Sequence, residues 1–456
     1  MLKLRLSEVA LWTHGALHGT DAFVHGVGTD TRKLDKGDLF VALKGEHHDG
    51  HDHLAQARER GAAGALVGRR VAIDLPQVVV ADTLLALGDL ASAVRAQRRT
   101  RVVGITGSNG KTSVKTLVAS ILQRHGRTHA NAGNFNNEIG LPLSLLAMPQ
   151  DSEYAVLEMG AGKPGDIAYL AAIARPEVGL VNNIAPAHLE RMRSLEGVAE
   201  TKGALYQALP ADGVAVINAD DAFAEFFVGL AGTRRILHFG FGGKADVRAE
   251  AIELQADGSV FVLVTPQGRT RVQLSLAGRH NVANALAAAA IATALDVPLA
   301  TIVTGIEDAR GAGGRLQWRE APGGWRVIDD SYNANPGSTE AAIATLSLQP
   351  GERWLVLGDM AELGANAAAL HARIGESARV AGIDRLFAVG ALSTHAVQAF
   401  GTGARHFAEQ AALADALREA LHAGVTVLVK GSRSSRMENV VAALLDGNGG
   451  GARHAA

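Results

Sequence analysis

Residues 104–113 read GITGSNGKTS, and the reading of this stretch decides the fold. Lys111 and Thr112 follow a glycine-rich turn, as they do in phosphate-binding loops. The common spacing G-x-x-x-x-G-K-[ST] requires a glycine where Ile105 stands. The glycines are Gly104, Gly107 and Gly110 instead, so the loop has a shape of its own, unlike that of small GTPases or motor ATPases. An ordinary glycine turn with a chance Gly-Lys-Thr is the plainer alternative. The flanks argue against it. RVVGIT, ending at Thr106, is a β-rich apolar run, and KTSVKTLVASILQRHG, from Lys111, is an amphipathic helix stopped by Gly126. Strand, glycine loop and helix open an α/β nucleotide domain. Backbone N–H groups at the helix start can wrap phosphate oxygens, Lys111 can neutralise the β/γ region, and the Thr112 hydroxyl can hold Mg²⁺. Gly107, Ser108, Asn109, Gly110, Lys111, Thr112 and Ser113 are therefore the expected nucleotide loop.

Outward from the loop, the apolar runs YAVLEM (154–159), VGLVNNI (178–184) and GVAVIN (213–218) alternate with helical patterns, which predicts a parallel sheet covered on both faces. Between about 236 and 275 the pattern changes to DVRAEAIEL, SVFVLVT and TRVQLSL, an antiparallel meander. A long helix, RHNVANALAAAAIATAL, follows. Glycines cluster in ARGAGGRLQW, where a boundary is expected. Beyond it, RVIDD, RWLVLG, RLFAVG and TVLVKG are strands of a second α/β unit. Before the loop, LFVAL, GALVG and QVVVA read as strands and HLAQARERGA as a helix ending at Gly61. The expected domains are 1–99, 100–312 and 313–456, with a disordered tail DGNGGGARHAA.

The chain has 456 residues, 47% apolar and 20% charged, the balance of a globular protein with large cores. A formal net charge of −2 gives no global attraction to nucleic acid or anionic membrane. No cysteine is present, which excludes disulfides, thiolate metal sites and cysteine nucleophiles. The N-terminal residues lack an apolar core followed by a cleavage site, and no apolar run is long enough to span a bilayer. A cytoplasmic protein without membrane insertion is expected.

Glu158 closes the strand YAVLEM, and His188 follows the next strand in NNIAPAHLERM, so both fall at the carboxyl edge of the sheet. Lone glutamates and histidines are usually solvated or structural. Beside a phosphate loop, a strand-end carboxylate is a natural Mg²⁺ ligand, and the shared location makes both residues candidates.

The motifs GITGSNGKTS, NAGNFNNEIGLPLSLL, LEMGAGKPGDI, NNIAPAHLERM, ETKGALYQAL, GRHNVANALAA, GRLQWRE, VIDDSYNANPGS and LGDMAELG occur in order along nearly the whole chain. In this combination the sequence resembles the Mur ligases of peptidoglycan synthesis, which carry the loop as T-G-[ST]-N-G-K-T. The resemblance implies an α/β protein of three domains. These are a small mixed α/β N-terminal domain for the UDP end of the substrate, a central P-loop-type ATP domain with a parallel sheet and antiparallel extension, and a C-terminal Rossmann-like domain. It implies ATP and two Mg²⁺ sites as cofactors, UDP-N-acetylmuramoyl-tripeptide and D-alanyl-D-alanine as small-molecule partners, and a monomer. ATP would phosphorylate the tripeptide carboxylate, and the amine would attack the acyl phosphate.

By the same resemblance Thr112 and Glu158 hold one metal, and Glu158 with His188 the second. Lys202, in ETKGALY, matches a lysine that many relatives carry as an N-carbamate, a further metal ligand; on sequence alone it is a helix-surface lysine. Lys111, His188, Lys202 and Asn137 form the expected catalytic set. Asn281 is the expected adenine contact, and Arg315 and Asp330 hold ribose and phosphate. Asn136, Asn137 and Glu138 face the muramoyl-peptide end, where a polar turn capping a helix is the plainer reading. Asn333 and Asn335 lie on the C-terminal side. Thr31 and Arg32 would meet the UDP phosphates, with Asp49, Gly50 and His51 nearby. The histidines 47, 48, 51 and 53 fit no zinc spacing.

Ligases that add a free amino acid often carry a DNPR-like stretch, which is missing here; DDSYNANP stands in its place. Two other readings stay open. One is a folylpolyglutamate- or cyanophycin-type ligase, which predicts pterin-loop motifs in place of TDTRK. The other is a nucleotide switch, which as a GTPase needs an N-K-x-D motif that the sequence lacks.

Overall fold

The computed structural model describes residues 2–186, 189–321 and 323–446. Its centre is a nine-stranded sheet. In spatial order the strands are Gly268–Leu274, Ser259–Thr265, Val247–Leu254, Arg235–Gly240, Val214–Asn218, Val178–Val181, Arg101–Thr106, Tyr154–Glu158 and Thr128–Ala130. Arg101–Thr106 is parallel to both its neighbours. The chain fills one side of this strand first and then the other. Its carboxyl end is therefore the topological switch point, where an open α/β sheet leaves a crevice. The meander is antiparallel, as its alternation predicts, but it extends the same sheet, because Val247 pairs in parallel with Phe239.

One face of the sheet is covered by helices Lys111–Leu122 and Arg279–Ala294. The second helix is buried almost all round, and its run Ala287–Ala290 has no exposed surface. A helix sandwiched between a sheet and another helix needs small side chains to fit, which explains the alanines.

The other face carries Gly140–Ala147, Asp166–Ala174 and Leu195–Gln207. Against the first two packs Thr83–Ala96, the last helix of the N-terminal unit, whose start is capped by Asp82 accepting from Leu84 and Leu85 N–H. The N-terminal sheet has five strands, parallel except where Ala16–His18 pairs with Gln77–Val79. Its apolar face is not separate from the central unit. Leu6, Val41, Leu87 and Leu90 belong to one cluster with Leu145, Leu157, Ile167 and Leu170. Arg95, buried in this contact, donates to the carbonyls of Ala174 at 2.8 Å and Arg175 at 3.3 Å, satisfying the end of a central helix.

The C-terminal unit is a six-stranded sheet, parallel except for its edge strand Gln317–Glu320. It has an apolar cluster on each face, and neither cluster includes residues of the central sheet.

Eight strands are missing from the sequence reading: the short Leu4–Arg5, Ala16–His18, Phe23–Val24 and Val27–Gly28, the edge strand Gln317–Glu320, and Thr128–Ala130, Arg235–Gly240 and Ala404–Phe407. Of the last three, Thr128–Ala130 and Ala404–Phe407 are edge strands and Arg235–Gly240 an interior one; each carries a histidine, so apolar patterning is weak. The helix expected to reach Gly61 ends at Glu59, and the strand LFVAL is confined to Leu39–Val41. Of the glycine-rich tail, residues 447–456 lie outside the described residues. Among the described residues no helix is long and apolar enough to cross a membrane.

Candidate active site

The displaced glycine of the loop has a geometric cause. Gly107 and Gly110 have φ of +146° and +79°. A Cβ on Gly110 would lie 2.4 Å from Asn284 Oδ1 and 2.5 Å from Asn182 Nδ2. Those two amides belong to a chain of asparagines that grips the loop. Asn182 Nδ2 donates to the Asn109 carbonyl at 2.9 Å and to Asn284 Oδ1 at 3.1 Å. Asn284 Nδ2 donates to Asn281 Oδ1 at 3.1 Å, and Asn109 N–H donates to Asn183 Oδ1 at 2.8 Å. Ser108 Oγ accepts from Ala185 N–H at 3.0 Å. Asn182 and Asn183 escaped the sequence reading as site residues. Their signal was their position at the carboxyl end of Val178–Val181.

Lys111 bends back over the loop, with Nζ donating to the Gly107 carbonyl at 2.9 Å. Burial pushes its pKa down; the Glu158 carboxylate opposes this and Arg315 adds to it.

Above the loop lies a cavity of about 290 Å³, walled by both the central and the C-terminal unit. Ser108, Asn109, Gly110, Lys111, Ser113, Asn281, Arg315, Asp330, Asn333 and Asn335 line it, so most of the nucleotide residues expected from sequence converge there. A side-chain amide bond crosses the units, from Asn335 Nδ2 to Asn109 Oδ1 at 2.7 Å. Arg315 stacks on Tyr332, its guanidinium carbon 4.4 Å from the ring centre.

Asp330 does not stand alone. The buried Lys430, its register partner on the neighbouring strand, pairs with its carboxylate and donates to the Asn333 carbonyl at 3.0 Å. Burial raises the Asp330 pKa, and Lys430 and Arg315 oppose it. Sequence reasoning missed Lys430, which reads as a strand-end lysine until its partner is known.

His280 shares this cavity wall, and burial, reinforced by Lys430, pushes its pKa down to about 4. The unfolded chain therefore takes up this proton first as pH falls, from the ordinary value of 6.5. Stability is expected to be full above that value, to decline towards pH 4 by about 2 kcal/mol from this group, and then to level off. The full shift would give more, but the ring touches cavity solvent. Denaturant midpoints measured across this range should fall more steeply for the wild type than for His280→Asn. Equal slopes would remove His280 as the cause.

A second cavity, of about 410 Å³, lies on the other side of Lys111. Asn136, Asn137, Glu138 and Glu158 line it, and Lys111, Arg315 and Asn333 are common to both cavities. Asn137 Oδ1 accepts from Gly140 N–H at 2.9 Å, capping the next helix. Glu158, 2% exposed, accepts from Thr112 Oγ1 at 2.9 Å and from Asn136 Nδ2 at 2.8 Å. Burial raises its pKa, but Lys111, Lys115 and these hydrogen bonds outweigh burial and hold it below the usual value. An ionised, buried carboxylate against a loop threonine suits Mg²⁺, which takes one or two carboxylates and completes its shell with phosphate oxygens and water. Among the described residues no three His, Cys, Asp or Glu side chains are grouped to cage a metal.

Lys202, expected on the surface from its sequence alone, is 2% exposed. Burial and then Lys111 push its pKa well down, with Asp166 opposing. His188 lies outside the described residues.

The N-terminal candidates line neither cavity. Thr31 is buried, with Oγ1 donating to Gln56 Oε1 at 3.0 Å. Arg32 is exposed and forks onto Asp30 at 2.9 and 2.8 Å. His51 Nδ1 meets the Asp49 carboxylate, and Nε2 accepts from Gly68 N–H at 2.9 Å, so this ring braces two loops. A Cβ on Gly50 would lie 2.8 Å from the backbone at Ala42 and Leu43, which makes glycine necessary there.

Three family descriptions match the chain: Mur ligase family, catalytic domain, over residues 23–98; Mur ligase middle domain over 105–292; and Mur ligase, glutamate ligase domain, over 314–433. The UDP-N-acetylmuramoyl-tripeptide–D-alanyl-D-alanine ligase of Escherichia coli K12 is 46% identical over 447 residues, covering 97% of this chain and 99% of that protein. A crystal structure of MurF from Acinetobacter baumannii superposes with a TM-score of 0.92 at 36% identity, covering 98% of this chain and 99% of that one. The MurF ligase of Thermotoga maritima, solved in complex with ADP, gives 0.82 at 28% identity over 92% of this chain and 97% of its own.

Proposed function

The chain belongs to the Mur ligase family, and from that membership we propose that it joins D-alanyl-D-alanine to UDP-N-acetylmuramoyl-tripeptide at the expense of ATP, giving the pentapeptide precursor of peptidoglycan. The observation that carries this reading is the meeting of two cavities at Lys111, Arg315 and Asn333. A ligase that activates one substrate with the phosphate of another needs a cation at such a junction.

ATP occupies the cavity above the glycine loop, with its phosphates on the N–H groups of Gly110 to Thr112, its adenine towards Asn281 and its ribose towards Asp330. The tripeptide carboxylate enters from the second cavity, past Asn136, Asn137 and Glu138. Its oxygen attacks the γ-phosphorus and ADP leaves. The amine of the dipeptide attacks the acyl carbon, and phosphate departs as the amide forms. Lys111 and Arg315 keep the anionic reactants together. Glu158 and Thr112 would hold Mg²⁺, with Lys202 as a carbamate and His188 serving a second ion; bound metal supplies charge neutralisation to the transferred phosphoryl group. The depressed Lys202 amine supports this, since a carbamate forms only on a neutral amine.

The N-terminal unit (residues 1–99), with Thr31, Arg32 and the Asp49–His51 turn, takes the UDP end. The central unit (100–312) and the C-terminal unit (313–456) enclose the reaction. Both cavities are built by one chain, which supports action as a monomer, and the nucleotide substrates named for the relatives support work in the cytoplasm.

The test is amine choice. With UDP-N-acetylmuramoyl-tripeptide and ATP, D-alanyl-D-alanine is expected to be ligated at least about a hundredfold better, by kcat/KM, than D-alanine or any L-amino acid. Robust ligation of a free amino acid, without use of the dipeptide, would move the protein to another step. Phosphate release from ATP with no acid or amine would point to a nucleotide switch.

A further inference from the structure

Four residues after Lys111, on the same helix, Lys115 is only 6% exposed. The reaction described above does not use it. Its Nζ donates to the carbonyl of Asn131 at 2.8 Å and of Gly133 at 3.4 Å, and lies 3.4 Å from Glu158 Oε2. An ammonium has three N–H groups, and here each has an acceptor.

Asn131 is 2% exposed and equally committed. Its Oδ1 accepts from Glu158 N–H at 2.9 Å, and its Nδ2 donates to the carbonyls of Glu158 at 2.9 Å and Phe135 at 2.8 Å. The segment 132–135 is exposed, and the Phe135 side chain does not anchor it. Hydrogen bonds to one lysine and one amide thus shape the turn that delivers Asn136 and Asn137 to the second cavity. Asn136 completes the attachment, its carbonyl accepting from Gly160 N–H at 2.7 Å.

We propose that Lys115 and Asn131 are positioning residues for the acceptor: they hold residues 131–137 in the form that binds the anionic peptide substrate, without touching that substrate or the nucleotide. The identity of the acceptor rests on the ligase reading; the clamp itself does not. The arrangement joins the helix that begins at the phosphate loop to the turn that lines the acceptor cavity, through side chains that are neither catalytic nor apolar.

The experiment compares wild type with Lys115→Met and Asn131→Leu, which keep volume and remove the polar groups. Amide exchange at 133–137 is expected to accelerate by about tenfold or more, while strand Arg101–Thr106 stays protected. KM for UDP-N-acetylmuramoyl-tripeptide should rise by about tenfold or more, with a smaller change in kcat and ADP affinity within about twofold of wild type. Unchanged exchange and unchanged KM would overturn the proposal. A fall in ADP affinity matching the rise in KM would also overturn it, assigning Lys115 to the phosphate loop. Lys115→Gln, which keeps donors on a shorter stem, is read in the same way if the methionine variant does not fold; if none of the three folds, the residues are structural and the proposal fails. Should wild type not ligate the UDP-tripeptide, the ligase reading falls, and the exchange result still decides the clamp.

Discussion

Lys111→Ala is expected to lower the rate of ligation by about a thousandfold or more, since it removes the localised cation at the junction of the two cavities. The loss should appear in kcat, because the charge matters most while the phosphoryl group moves. Folding should survive. Lys111 donates only to loop carbonyls, at 2.9 Å to Gly107 and 3.4 Å to Ser108, and supports no apolar cluster. The check is phosphate release by a soluble variant with wild-type thermal stability. Near-normal turnover in that variant would remove the phosphate-loop assignment.

Lys202→Ala carries the second large effect, a loss of about a hundredfold or more, as expected when a metal-site ligand is removed. The lysine is buried and its amine is held towards the neutral form by burial and by Lys111. A neutral amine adds to CO₂ and loses a proton, leaving a carboxylate where a cation stood. A short-chain carboxylate at high concentration should therefore restore part of the rate to the alanine variant, by supplying the missing oxygens. It should not rescue Lys202→Arg, whose permanent cation blocks the position. Labelled bicarbonate should give wild type a carbonyl NMR signal that Lys202→Ala lacks. A fully active alanine variant, or a wild type silent at saturating bicarbonate, would make Lys202 a plain buried lysine.

Much of this site was legible because its residues sit where the chain changes character. The strand RVVGIT runs straight into glycines, and the strand Tyr154–Glu158 ends in a carboxylate; such ends are visible without any neighbour. Of the cavity residues that meet across two units, Asn109 was legible in the glycine loop itself, while Asn335 was legible only through the family motif DDSYNANP. What escaped was the support. Asn182 matters because its amide fits where a Cβ on Gly110 would be, and no spacing along the chain announces a contact across strands. Lys115 looks like one more polar residue on an amphipathic helix; only the path of residues 131–133 around it reveals its burial. The same holds for Lys430, whose meaning depends on Asp330 in the adjoining strand. The short strands Thr128–Ala130 and Ala404–Phe407 were hidden for a related reason: an edge strand is defined by the neighbour it pairs with and needs little apolar pattern of its own.

The apolar cluster that runs from Leu6 and Leu90 into Leu145 and Ile167 bears on how the chain can be taken apart. In the sequence the boundaries expected near residues 99 and 312 look alike, each a short polar stretch between two runs of strands and helices. Mechanically they differ. A cut at the first passes through a single interior and leaves two halves with wet, complementary apolar faces; a cut at the second passes between interiors that are already closed. For purposes of dissection the N-terminal and central parts therefore count as one body, sharing a single interior, and the C-terminal part as another.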